Sequence, residues 1–136
     1  MAEASYWEEQ FVRKYAARAK QARYLSLLKD KKSRRKFLEC LNHTFDFDAR
    51  WAVELAHAEH FEPGLLSLLR ARQVAETCYV MADGRESDGC ELPLERGIHE
   101  LCTNWFGTVL ICPPTPIAVY RCEVPGPPVL LERRAT

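Results

Sequence analysis

The stretch NWFGTVLICPPTPIAVYRCE, which runs from Asn104 to Glu123, decides the fold predicted for this chain. Phe106 to Cys112 is almost continuously apolar and β-branched, a pattern typical of a strand that is buried on both faces. Proline cannot donate a hydrogen bond to a sheet ladder, so the PPTP segment ends this strand and predicts a turn. Ile117 to Val124 then resumes as a second strand. The sequence therefore predicts an interior β element near its C-terminal end.

Shorter apolar segments flank these two strands. Thr77 to Ala82 and Val129 to Glu132 predict two further strands. Between them, Pro93 suits the first turn of a helix that ends near Thr103. Residues 76–136 thus predict a small, mostly antiparallel sheet of order β-α-β-β-β, with helices covering one of its faces.

The N-terminal part, residues 1–75, has the 3.6-residue periodicity of helices. Four helices are predicted there: Ser5 to about Leu28, Arg34 to about His43 with Ser33 as its N-cap, one that follows Asp48 with Trp51, Leu55 and Ala58 on its buried side, and one from Pro63 to about Gln73. We therefore expect an α+β fold, with residues 1–136 as a single domain in which a helical part packs on the sheet part.

Composition and length set the class of protein. The chain has 136 residues, of which 47% are hydrophobic, and this suffices for one core. No run approaches the roughly 20 apolar residues that span a bilayer. The opening MAEASYWEEQ also lacks the pattern of a secretory signal. From these features we expect a soluble cytoplasmic protein that makes no membrane contact. The helical N-terminal half followed by a small sheet is the pattern on which we expect a compact bacterial protein.

The net charge of zero conceals an uneven distribution. Between Arg13 and Lys36 there are eleven basic residues and one acidic residue, whereas the chain from Phe37 onward has eight basic and fifteen acidic residues. Such a segment either pairs with the chain's own acidic half or binds an acidic or polyanionic partner. Tyr15 and Tyr24 are candidates for stacking on bases, but both also fit a helix packing surface. The candidate binding residues of this segment are Arg13, Lys20, Arg23, Arg34, Arg35 and Lys36.

Two histidine and cysteine pairs have spacings that suit a metal. Cys40 and His43 are three residues apart, as are His57 and His60, and residues three apart share one face of a helix. Thiolate and imidazole are ligands of tetrahedral zinc. The same residues also fit ordinary helix surfaces, so we predict no cofactor and keep zinc as an alternative.

The remaining candidates for chemistry are cysteines. The six cysteines are expected to be reduced, because nothing in the sequence indicates secretion. Cys102 follows His99 by three residues, and Cys90 precedes the predicted helix, whose dipole would favour a thiolate. No Walker loop, Rossmann fingerprint, nucleophile elbow or zincin motif occurs.

The sequence thus favours a non-catalytic protein-interaction or regulatory binding domain over an enzyme. Trp105 and Phe106, which precede the central strand, are candidate exposed anchors for a protein partner. Nucleic-acid binding through residues 13–36 is the first alternative, and a Cys/His-dependent or zinc-binding enzyme is the second.

Overall fold

The computed structural model describes residues 2–43 and 45–133, and this part of the chain forms five α-helices and six strands. The helices are α1 (Ala2–Tyr15), α2 (Arg18–Leu27), α3 (Lys31–His43), α4 (Glu62–Ala71) and α5 (Leu94–Thr103). The strands are β1 (Ala52–Val53), β2 (Thr77–Ala82), β3 (Cys90–Pro93), β4 (Thr108–Ile111), β5 (Ile117–Arg121) and β6 (Val129–Glu132). The α+β class and the helical N-terminal half are confirmed.

The six strands form an antiparallel sheet in the order β1-β6-β5-β4-β2-β3. Strand β4, predicted from the apolar stretch, lies in the interior of this sheet. Its Leu110 lies opposite Val80 of β2 on one side and Val119 of β5 on the other, and all four residues of β4 are buried. The interior β element on which the sequence-based fold depended is confirmed.

Helices cover both faces of the sheet. Tyr79 and Met81 of β2 pack in a hydrophobic cluster with α1, α2 and α3, whereas Val80 and Ala82 pack in a second cluster with α4 and α5. The expectation of a single covered face is therefore wrong. Successive side chains of a strand point to opposite faces, so an unbroken apolar strand needs apolar neighbours on both.

The helix predicted after Asp48 does not form. Asp48 caps only a 3-10 turn at Ala49–Trp51, where its Oδ1 accepts from the Arg50 backbone N–H at 3.0 Å. Strand β1 follows and pairs with Leu130 and Leu131 of β6, and a second 3-10 turn at His57–His60 leads into α4. This prediction is wrong because backbone pairing with a distant strand overrides a short helical periodicity.

The long helix predicted from Ser5 is divided into α1 and α2. At the break, the Ala17 N–H donates to the Asp46 carbonyl at 2.8 Å and the Asp48 N–H donates to the Tyr15 carbonyl at 2.7 Å. The N-cap of α3 also differs from the prediction, because the Asp30 carboxylate accepts from the Ser33 N–H at 2.9 Å and α3 begins at Lys31. Hydrogen bonds to the segment of residues 46–48 thus determine where α1 ends.

Strand β3 adds one strand to the predicted order of the sheet part. It pairs antiparallel with β2 at one edge of the sheet and ends in Pro93, directly before α5. The opposite edge is β1, which has two residues. Both edge strands are therefore short.

Candidate interaction surfaces

The basic segment forms a helical hairpin of α2 and α3. We call its eight exposed cations the basic surface: Arg18, Lys20, Arg23, Lys29, Lys31, Lys32, Arg35 and Lys36. Of the predicted binding residues, Arg13 on α1 is exposed as well, whereas Arg34 is only partly exposed. Among carboxylates of the described residues, only Asp46 is within ion-pair distance of the basic surface, with its Oδ2 3.8 Å from Lys20 Nζ. The basic surface is therefore not neutralised by that part of the chain.

Arg34 faces inward and joins two carboxylates. Its Nε and Nη2 donate to the two oxygens of Glu8 at 2.9 and 2.7 Å, and its Nη1 and Nη2 donate to those of Asp88 at 2.6 and 2.8 Å. The Tyr79 hydroxyl also donates to Glu8, which is 5% exposed. Burial disfavours the charge of Arg34, but the hydrogen bonds to Asp88 and Glu8 raise its pKa. Arg34 thus links α1, α3 and the loop after β2.

The two tyrosines of the basic segment are buried. Tyr15 is 2% and Tyr24 is 3% exposed. Tyr15 packs on Phe11 with ring centroids 5.7 Å apart, and Tyr24 stacks on Phe45 at 5.1 Å. Of the two interpretations, stacking on bases is therefore wrong and packing beneath the helices is confirmed.

The four metal candidates are placed on two different helical layers. Cys40 on α3 packs against the cluster of α1, α2 and α3, and His43 Nδ1 lies 3.4 Å from Glu123 Oε1. His57 and His60 lie in the 3-10 turn next to α4, with ring centroids 5.9 Å apart. Within residues 2–43 and 45–133, no group of three or more His, Cys, Asp or Glu side chains is arranged to hold a metal ion.

The candidate nucleophile Cys102 lies at a cavity of about 490 Å³ that Phe61 and Arg121 also line. Burial raises the pKa of the Cys102 thiol, and the nearby Glu62 carboxylate raises it further. Glu62 itself pairs with His99 Nδ1 at 3.2 Å. The Arg121 guanidinium donates to the Leu101 and Cys102 carbonyls near the end of α5 and to the Gly126 carbonyl in the segment after β5. Burial and Glu62 favour the protonated thiol, whereas a nucleophile needs the thiolate, and the opposing effect of the Arg121 charge on the pKa is smaller.

Cys90, the other candidate nucleophile, is the first residue of β3 and pairs with Val80. It does not lie at the start of α5, which begins at Leu94. Its Sγ is 3.5 Å from the Glu86 carbonyl oxygen and 3.8 Å from that of Asp88, so the thiol donates toward both. The proposed activation of Cys90 by the helix dipole is therefore not supported by its position.

Two core thiols predict a loss of stability in alkali. Burial raises the pKa of Cys78 and of Cys112 to about 12, whereas an unfolded cysteine ionises near pH ~8.5. Below pH ~8.5 this contribution to stability is complete, and it is lost as the pH rises toward about 12, by up to about 1.4 kcal/mol per pH unit and thiol. In urea titrations with reductant, Cys112→Ala is expected to lose about 2 kcal/mol less than the parent chain between pH ~8 and ~10. Equal losses in the two proteins would contradict this prediction.

The loop Asn104–Gly107, which we call the aromatic loop, exposes two large rings before β4. Trp105 is 70% exposed and Phe106 is 48% exposed. Asn104 is 2% exposed and holds the loop from inside, because its Nδ2 donates to Thr108 Oγ1 at 3.0 Å and its Oδ1 accepts from the Phe106 N–H at 3.3 Å. The two exposed rings thus project from a backbone that the buried Asn104 side chain holds through hydrogen bonds.

Neighbouring elements fix the aromatic loop at both ends. The Gly107 N–H donates to Asn42 Oδ1 at 2.6 Å, and Asn42 Nδ2 donates to Asp83 Oδ2 at 2.9 Å. The Val124 N–H donates to the Trp105 carbonyl at 3.0 Å. The loop is therefore tied to α3, to the end of β2 and to the segment after β5.

None of the described helices is long and apolar enough to cross a membrane. No family model, curated protein or solved structure matches the chain.

Proposed function

We propose that this chain is a non-catalytic binding domain that takes a protein partner on the aromatic loop. The observation that carries the proposal is the exposure of Trp105 and Phe106, at 70% and 48%, on a loop whose backbone is fixed from inside. Trp is among the residues most enriched where binding energy concentrates in protein interfaces.

The supports of the loop lower the cost of binding. Ordering a mobile loop and its side chains on association reduces affinity, and a loop already in its bound conformation avoids most of that cost. Asn104 and Asn42 provide this order through four side-chain hydrogen bonds. Both asparagines are buried, so their role is internal and the rings alone face the partner.

The test is quantitative capture of partners from the source cells, followed by affinity measurement on the recovered partner. The double variant Trp105→Ala with Phe106→Ala is expected to weaken binding at least about 30-fold, the loss that corresponds to one interface hot spot of about 2 kcal/mol. Its thermal unfolding is expected to remain close to that of the parent chain, because both rings are exposed.

The matched control removes two other exposed aromatic rings, Tyr6 and Phe61, which are 51% and 56% exposed. Tyr6→Ala with Phe61→Ala is expected to retain the partner. Equal loss in both double variants would show general hydrophobic adhesion and contradict the proposal. A partner that binds the Trp105 and Phe106 variant as tightly as the parent chain would also contradict it.

A further inference from the structure

We propose that the basic surface of α2 and α3 binds the phosphate backbone of nucleic acid without reading base sequence. The basic surface consists of other residues than the aromatic loop, so its ligand does not depend on the protein partner proposed there. It starts from the exposure of eight cations on one hairpin, of which only Lys20 lies within ion-pair distance of a described carboxylate.

The cations of α3 are concentrated on its outer side. Lys31, Lys32, Arg35 and Lys36 line an open depression together with the carboxylate of Glu39. Lys31 and Arg35 are one helical turn apart, as are Lys32 and Lys36, so these side chains are neighbours. The opposite side of α3 is buried through Phe37, Leu38 and Leu41. The depression therefore carries a net charge of about +3.

Apart from Glu39 in the depression, several acidic residues of the described chain have partners of their own. Asp30, the acid within the basic segment, is occupied as the N-cap of α3. On the helical layer across the sheet, Glu76 and Glu95 accept from Arg70, and Glu100 accepts from Arg85. Nearer to the basic surface, the carboxylates of Glu8 and Asp88 are bound by Arg34, which reduces their repulsion of a polyanionic ligand.

The composition of the surface favours phosphate over an acidic protein. Protein interfaces usually contain an apolar or aromatic centre. The large exposed hydrophobic side chains of the described residues are Tyr6, Phe61, Trp105 and Phe106, and none of them lies on α2 or α3. Phosphate contacts need only cations. The tyrosine and phenylalanine of the hairpin, Tyr24 and Phe37, are both buried and cannot stack on bases, so we infer contacts to the phosphate backbone.

The experiment is fluorescence anisotropy with the full chain and a labelled, mixed-sequence DNA duplex about two helical turns long, titrated between about 50 and 200 mM salt. The variant is Lys32→Gln with Lys36→Gln, since glutamine keeps helix propensity close to that of lysine. The parent chain is expected to bind with an affinity that falls steeply with salt. The variant is expected to bind more weakly, with a slope shallower by roughly 2, since each phosphate contact contributes about 0.9.

The control is Arg70→Gln with Arg96→Gln, which removes the same charge from the layer of α4 and α5. It is expected to bind like the parent chain. Equal weakening by both pairs of substitutions, or the absence of binding at low salt, would overturn the proposal. Binding of a polyglutamate peptide as tightly as the duplex would also overturn it and would identify the surface as a site for acidic proteins.

Discussion

Replacing Arg34 with methionine is expected to lower the free energy of unfolding by about 3–5 kcal/mol. The substitution leaves Glu8 and Asp88 without their cation, and the Glu8 side chain is 6% and the Asp88 side chain 20% exposed. Removing one partner of a largely buried ion pair leaves charge that water cannot solvate, and this cost exceeds the net value of the pair itself. Urea denaturation followed by circular dichroism measures the difference.

The next residue supplies the control. Arg35 lies on the same helix and is exposed, so Arg35→Met is expected to change stability by no more than about 0.5 kcal/mol. Equal free energies of unfolding for the two variants would show that the hydrogen bonds of Arg34 do not stabilise the fold. A second check is the free energy of unfolding of Glu8→Gln. This variant removes the negative charge that pairs with Arg34 but keeps the size of the side chain.

Replacing Gly107 with alanine is expected to lower the free energy of unfolding by about 3 kcal/mol, the upper end of the usual cost of overpacking. A Cβ atom at this position would lie 2.4 Å from the carbonyl carbon and oxygen of Leu41 and 2.7 Å from the backbone nitrogen of Asn42. These are backbone atoms of α3, which cannot turn aside as a flexible side chain could. The aromatic loop must then separate from α3, and the affinity for a protein partner is expected to fall as well.

Gly84→Ala is the contrasting substitution. Gly84 has a φ of +73°, but an added Cβ would meet only Phe106 Cδ2, at 4.0 Å. Its expected cost is the strain of a left-handed alanine, about 1–2 kcal/mol. Thermal and urea unfolding of the two variants measure the difference. A Gly107→Ala protein as stable as Gly84→Ala would show that α3 and the loop are less closely packed than the structure has them.

Local pattern was sufficient to predict the centre of the sheet. The apolar stretch before the prolines and the strand after them became β4 and β5, because continuous hydrophobicity and proline-enforced turns need no distant information. Helix α5 likewise begins directly after Pro93. The boundaries of these elements are marked by residues within or next to them, above all by prolines.

The secondary-structure predictions are wrong where the conformation depends on hydrogen bonds to backbone groups distant in sequence. The break after Tyr15 contains no glycine or proline and results from hydrogen bonds to Asp46 and Asp48. Strand β1 exists because β6, nearly eighty residues later, pairs with it. Helical periodicity over Trp51, Leu55 and Ala58 could not reveal either contact.

The candidate sites also combine features that the local sequence predicts with features that depend on distant residues. A count of charges located the basic segment, but it could not separate Arg34 from Arg35, since the carboxylates that bind Arg34 are 26 and 54 residues away. Trp105 and Phe106 were identified as candidate anchors from their place before β4. The asparagine supports of their loop became visible only in three dimensions, because Asn42 lies on α3.

The short outer strands of the sheet also restrict how this protein can be recognised. Many peptide-binding domains lengthen their sheet with the ligand's own backbone, which requires a long row of free amide and carbonyl groups. Here one margin has two residues and the other ends in a proline that has no amide hydrogen to offer. Binding of a ligand by strand addition is therefore disfavoured at both edges, and filament growth by edge-to-edge stacking of copies is disfavoured for the same reason.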